Sequence, residues 1–256
     1  MKGKITLIQI LLVFTVIICG FLWITDYLEH RGSKSGFEDI KQSVTLPTPQ
    51  TAATAEPTTP PREPDGMLSK YAPLYQRNND TVGWVRIEDT SIDYPVMQTK
   101  NTNAYYLHRD FDRNNSPSGT PFMDYQCDSK ILSDNTIIYS HNMKNGTMFH
   151  DLLKYADKAF YDAHKFIDFD TLYDTGRYEI FAVSRMNERQ YNEFKYYEFV
   201  NAKDKVGYDA FVEGCIKRSL YDTAIVPNHP EKLLTLSTCS YSSDNERFVV
   251  FARKIN

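Results

Sequence analysis

An apolar run, Leu233-Leu234-Thr235-Leu236-Ser237-Thr238, ends abruptly in Cys239. Eight residues later Arg247 opens a second apolar run, Phe248-Val249-Val250-Phe251-Ala252. Two strands joined by so short a loop would bring a thiol and a guanidinium to one edge of a sheet. A thiol becomes a useful nucleophile when a nearby base or cation favours its thiolate. A third run, Asn135-Thr136-Ile137-Ile138-Tyr139-Ser140, ends in His141, which would supply that base or a proton donor. Arginine suits a developing oxyanion, because its planar fork stays charged at any working pH. Each residue also has a plainer reading. Cysteine is commonly a small buried residue. Arg247 would serve equally as a strand-initiating surface charge, since Arg253 and Lys254 follow on the same run. Cys-His chemistry requires spatial adjacency, which spacing alone does not supply.

The remaining candidates are weaker. Cys215 falls on the apolar face of a helical pattern, and Cys127 sits in the polar stretch Asp124-Tyr125-Gln126-Cys127-Asp128. No CxxC spacing occurs, and spacing does not decide whether Cys127 and Cys215 pair. His30 precedes the body of the domain, His150 and His164 flank helical segments, and His108 and His229 fall in loop-like stretches. His141 alone ends a well-formed apolar run and precedes a turn, Asn142-Met143-Lys144-Asn145-Gly146. No His/Cys/Asp/Glu cluster has metal-ligand spacing. The acidic pair Asp110 and Asp112 reads as a solvated turn. Neither a metal nor a cofactor is expected.

Short runs rich in aromatic and β-branched residues would build the scaffold: Val82–Ile87, Ile92–Val96, Thr136–Tyr139, Tyr178–Val183, Leu233–Leu236 and Phe248–Ala252. Such runs are strand signals. Turn-forming clusters such as Asn114-Asn115-Ser116-Pro117-Ser118-Gly119 separate them. The pattern predicts a mainly β fold, an antiparallel sheet closed as a barrel. Helices are predicted over Leu68–Gln76, Met148–Ala156 and Lys203–Leu220. In the last, Tyr208, Phe211, Val212, Cys215, Ile216 and Ser219 share one face.

The chain has 256 residues and a formal net charge of −4, and mild acidity excludes the basic stripe of a nucleic-acid binder. Ile5 to Ile24 carries no charge, and at about 1.5 Å per residue it would span roughly the 30 Å of a bilayer core. Lys2 and Lys4 precede this run and Asp26 and Glu29 follow it. The positive-inside rule then predicts a single-pass anchor, with a cytoplasmic N-terminus and an extracellular domain. Residues 1–31 are read as tip, anchor and short stalk. Residues 32–66 are read as a Pro/Thr-rich extracellular linker, because such a composition buries too little apolar surface to order itself. Residues 67–256 form the globular domain.

The chain resembles a known family at these same residues. Thr235-Leu236-Ser237-Thr238-Cys239 with Arg247, and Tyr139-Ser140-His141-Asn142, look like the active-site signature of sortases, and class B matches best. Asp80-Thr81-Val82-Gly83-Trp84-Val85 and Ile92-Asp93-Tyr94-Pro95-Val96-Met97-Gln98 resemble the first strands of that class. Tyr105-Tyr106-Leu107-His108-Arg109-Asp110-Phe111 and Gly119-Thr120-Pro121-Phe122-Met123-Asp124 resemble the segments that follow.

The resemblance implies a closed eight-stranded barrel with an N-terminal helix and a long helix before the penultimate strand. It implies a cysteine transpeptidase of the Gram-positive cell surface. Cys239 would attack the threonine carbonyl of a C-terminal sorting motif, His141 would protonate the leaving amine, and Arg247 would steady the oxyanion. Ser237 and Thr238 would line the substrate groove. The partners implied are surface proteins bearing a sorting signal and a peptidoglycan precursor amine. Some class B members carry an acidic residue two positions after the cysteine. Here that position is Tyr241 and the nearest acid is Asp244, so a third carboxylate stays unassigned. A sortase-fold protease, a pilin-joining transpeptidase and a non-catalytic tethered domain are the alternatives, and thiol accessibility separates the last from the enzymes.

Overall fold

The computed structural model describes residues 2–44, 60–187, 194–239 and 246–256, with the side chains of 2–8, 22–35 and 239 excepted. The chain divides into two units, Met1–Gln42 and Ser43–Asn256. The first is one helix, α1 (Lys2–Val44), so the backbone stays helical past residue 31, where the linker was expected to begin. The expected anchor, Ile5–Ile24, lies only partly within the described side chains. Among the described residues no helix is long and apolar enough to cross a membrane. Most of the Pro/Thr-rich stretch, residues 45–59, lies outside the described residues.

The second unit carries the barrel. After α2 (Ala72–Arg77) come β1 (Thr81–Arg86), β2 (Asp93–Met97), β3 (Phe122–Met123) and β4 (Asn135–Tyr139). Then follow α3 (Lys158–Ala163), β5 (Phe166–Thr171), β6 (Arg177–Asn187), α4 (Lys205–Lys217), β7 (Leu233–Cys239) and β8 (Glu246–Lys254). The strands close in the order β1-β2-β3-β4-β7-β8-β6-β5. The sheet is not purely antiparallel, as the sequence had suggested: β2 with β3 and β4 with β7 run parallel. Parallel neighbours need a long crossover. Between β4 and β7 it is built from α3, the β5–β6 hairpin and α4.

Helix α4 explains why β7 and β8 read so plainly as apolar runs. Leu234, Leu236, Phe248, Val250 and Ala252 pack into the barrel interior. Leu233, Val249 and Phe251 point the other way, against Tyr208, Phe211, Val212 and Cys215 of α4. Both faces are therefore buried, and alternation gives way to continuous hydrophobicity. Asp204 caps α4 by accepting the Gly207 N–H at 2.8 Å, as short polar side chains do at helix starts. Each fully buried Leu or Phe along this seam contributes about 1.5–3 kcal/mol.

Two sequence readings shift. The predicted helix over Met148–Ala156 is a 3-10 helix, Phe149–Ala156. Its three-residue turn buries Phe149, Leu152 and Tyr155 and leaves Ala156 exposed, whereas a 3.6-residue period had placed Ala156 inside. Strand β5 was not anticipated. Its inward residues Ile167, Phe169 and Thr171 alternate with Asp168 and Asp170. Gly83 is required where β5 crosses β1, since a Cβ there would lie 2.2 Å from the Asp170 carbonyl oxygen.

Candidate active site

The parallel pairing of β4 with β7 sets the site. Tyr139 stands opposite Ser237 in register. Beyond the last pair the strands stay joined: Ser140 N–H donates to the Ser237 carbonyl at 3.2 Å, and Thr238 Oγ1 donates to the Ser140 carbonyl at 2.7 Å. In the antiparallel β7–β8 pair, Cys239 stands opposite Arg247. The backbones of Cys239 and Arg247 and the stretch that leaves β4, Ser140-His141, therefore share one barrel edge. The Cys239 side chain lies outside the described residues, as do Tyr241 and Asp244.

His141 is half-buried and held by two loops. Its own loop closes as Phe149 N–H donates to the His141 carbonyl at 2.8 Å and Asn142 bridges to Met148. His150 Nδ1 meets Asn142 Oδ1 at 2.8 Å in the same turn. From the loop between β2 and β3, the Leu107 carbonyl lies 2.7 Å from His141 Nε2. A carbonyl only accepts, so Nε2 carries its proton and Nδ1 is the nitrogen whose protonation changes. Burial holds the imidazole below its ordinary pKa, and His108 and Arg247 push it the same way against the Leu107 hydrogen bond. His108 sits close, with ring centroids 5.7 Å apart.

A cavity of about 570 Å³ opens at this edge. Asn103, Ala104 and Leu107 line it together with Phe122, Tyr139, Ser140 and Tyr197, and His141, Ser237, Thr238 and Arg247 complete the lining. Ser237 and Thr238, expected to line a substrate groove, are among the residues that line this cavity. Both are buried, and their hydroxyls are engaged inside the protein, Ser237 with Tyr196 at 2.7 Å and Thr238 with Ser140. Asn103, Leu107, Tyr139 and Tyr197 were not singled out from the sequence. Tyr139 reads only as part of a strand run and a motif, and the other three lie in segments between strands, with no periodicity to mark them.

The other cysteines do not compete. Cys127 and Cys215 are free thiols, each buried, in separate hydrophobic clusters. Burial pushes the Cys127 thiol up to about 12 and the Cys215 thiol well above its ordinary value. His150 and His164 make local bonds in their own turns, and Asp112 pairs with Arg77.

The likeness to known proteins is extensive. A family model for the sortase domain matches residues 85–255. Sortase B of Staphylococcus aureus (strain NCTC 8325 / PS 47) is 32% identical over 257 residues, spanning 100% of this chain and 98% of its own length. Sortase B of Listeria monocytogenes serovar 1/2a is 36% identical over 174 residues, 68% of each chain. The structure of a Staphylococcus aureus sortase B–substrate complex superposes with a TM-score of 0.76 at 27% identity, covering 90% of this chain and 99% of that one. A Bacillus anthracis sortase B in complex with AAEK1 gives 0.74 at 27% identity, with coverage of 90% and 99%. Domain, sequence and barrel agree: the chain belongs to the sortases, a family of cysteine transpeptidases, and within them to class B.

Proposed function

We propose that Cys239 is the nucleophile, His141 the proton donor and Arg247 the oxyanion partner of a sorting-signal transpeptidase. The observation that carries this reading is the double register, Tyr139 with Ser237 and Cys239 with Arg247, at the head of the cavity. The Cys239 thiolate adds to the carbonyl carbon of a threonine in the C-terminal motif, and the electron pair moves to the oxygen. Arg247 meets that negative charge. The C–N bond then breaks as His141 Nδ1–H gives its proton to the departing amine, leaving a thioester. A peptidoglycan amine attacks the thioester and returns a proton to His141, and the Cys239 thiolate departs. Because burial holds His141 below its ordinary pKa, the imidazolium that serves as acid is a minor species at neutral pH. Ser237 and Thr238 shape the groove through backbone and Cβ surface, since their hydroxyls are already bonded.

The apolar run Ile5–Ile24 serves in this reading as a single-pass anchor, with residues 32–66 as spacer and the domain from 67 outward at the cell surface. Support comes from the run's length and from Lys2 and Lys4 ahead of it. The test is intact-mass spectrometry of the full chain incubated with a panel of sorting-motif peptides. An acyl adduct on Cys239 that disappears when an amine is added is the expected result. An equal adduct on Cys239→Ala would overturn the assignment.

A further inference from the structure

Beneath the groove lies a carboxyl that the proposed chemistry does not use. Asp124 follows β3 and is 2% exposed. Its Oδ1 accepts the Gln126 N–H at 2.9 Å. Its Oδ2 accepts two side chains that line the groove, Asn103 Nδ2–H at 2.8 Å and the Tyr139 hydroxyl at 3.2 Å. Asn103 Oδ1 in turn accepts the Tyr125 N–H at 2.9 Å. The Asn103 amide is thereby fixed at both ends, with its oxygen turned to backbone and its nitrogen to Asp124. The second N–H of that nitrogen has no acceptor among the described residues. The Tyr139 hydroxyl donates to Asp124, so its proton is unavailable to a ligand.

We propose that Asp124 is a positioning residue that fixes the hydrogen-bond polarity of this groove wall, so that the wall takes an acceptor, a carbonyl or carboxyl oxygen, from the bound peptide. An acid is suited to the task because it only accepts when ionised, and so permits one orientation of the Asn103 amide where a neutral partner permits two. A ligand presenting an N–H at this point would face another N–H, and each group would give up its water with no partner in return, which is costly. The proposal rests on the groove being the sorting-peptide site.

The test is an exchange of the two side chains, Asn103→Asp with Asp124→Asn. The exchange keeps the four bonds and reverses two of them: the new amide at 124 donates to the carboxyl at 103 and to the Tyr139 oxygen, while the Gln126 and Tyr125 N–H groups still donate as before. The full-length variant is expected to keep the wild-type melting temperature and rate of Cys239 alkylation. Its KM for the sorting peptide should rise about tenfold or more, because position 103 now offers only acceptors and the one freed donor, the Tyr139 hydroxyl, stands elsewhere on the wall. A wild-type KM in the exchanged protein would show a merely structural network and overturn the proposal. Should the exchange not fold, the wild-type enzyme decides with peptides carrying one thioamide at a time. One position is expected to raise KM several-fold, and no sensitive position would overturn the proposal equally. Failure of the underlying reading is visible beforehand, as wild-type Cys239 forming no adduct with any peptide.

Discussion

Gly119 lies against the Leu107 carbonyl oxygen, the same oxygen that accepts from His141 Nε2. A Cβ on Gly119 would sit 2.6 Å from it, at a backbone φ of +59° that favours glycine. Gly119→Ala therefore has two costs: a left-handed residue, about 1–2 kcal/mol, and displacement of the imidazole's partner. We expect a fall in kcat/KM of about tenfold or more, since 1.4 kcal/mol of lost positioning is already that factor. Gly66→Ala is the control, because Gly66 also has a positive φ but nothing within 4 Å. It should lose stability alone. Equal activity in the two variants would refute the role of the Leu107 carbonyl.

His108 should tune the acid limb of the pH profile. It is exposed beside His141, and its charge holds the neighbouring imidazole down. His108→Gln removes that charge, so the His141 pKa should rise. With protonated His141 and the thiolate as the competent pair, the acid limb of kcat/KM shifts to higher pH and its plateau climbs. Titration of the His141 ring by NMR checks the direction, and an unmoved midpoint would sink the idea. The depressed pKa has a second consequence for the wild-type protein. A group depressed in the fold contributes stability that is complete above its unfolded pKa and is lost as pH falls through the folded one. His141 should therefore weaken the barrel on acidification below the ordinary histidine range.

Thiol chemistry should sort the three cysteines of the barrel unit. At pH 8 a thiol pushed to about 12 is ionised in about one molecule in ten thousand, and Cys127 and Cys215 are also shielded from solvent. Iodoacetamide followed by peptide mapping should label Cys239 in native protein and reach Cys127 and Cys215 only after denaturation. Native labelling of Cys127 at a comparable rate would contradict the burial described.

Phe211 tests the outer layer. It stacks on Phe199 with ring centroids 3.9 Å apart and backs Phe251 of β8. Phe211→Ala should cost about 3–5 kcal/mol, or roughly 6–20 °C of melting temperature for a domain this size. Activity per folded molecule should survive at low temperature, because Phe211 does not line the groove. A melting temperature within 2 °C of wild type, by the same scaling about 1 kcal/mol or less, would show that α4 is dispensable to β7 and β8.

What was legible in the sequence follows from burial. Strands β4, β7 and β8 announced themselves because both of their faces are covered, and a polar residue bounds each run at the same barrel edge, where β4 and β7 end and β8 begins. Strand β5 interrupts its apolar residues with Asp168 and Asp170, and β3 has only Phe122 and Met123, so neither rose above its surroundings. The same contrast divides the site. Cys239, His141 and Arg247 terminate runs, and a terminus is visible. Asn103 and Asp124 are 21 positions apart in irregular chain and meet through one 2.8 Å hydrogen bond. No period or run encodes that meeting.

The parallel pairing of β4 with β7 has a consequence for how activity arises. His141, the proposed proton donor, and Cys239, the proposed nucleophile, follow or end strands with almost a hundred positions of chain between them. Contacts of such sequence separation form late and together, after the loop-closure entropy has been met. On the proposed roles, a chain in which β4 has formed but β7 has not has the His141 imidazole without its partner cysteine. Turnover is therefore a readout of ring closure, and a nascent or partly opened molecule is chemically silent towards the peptides around it.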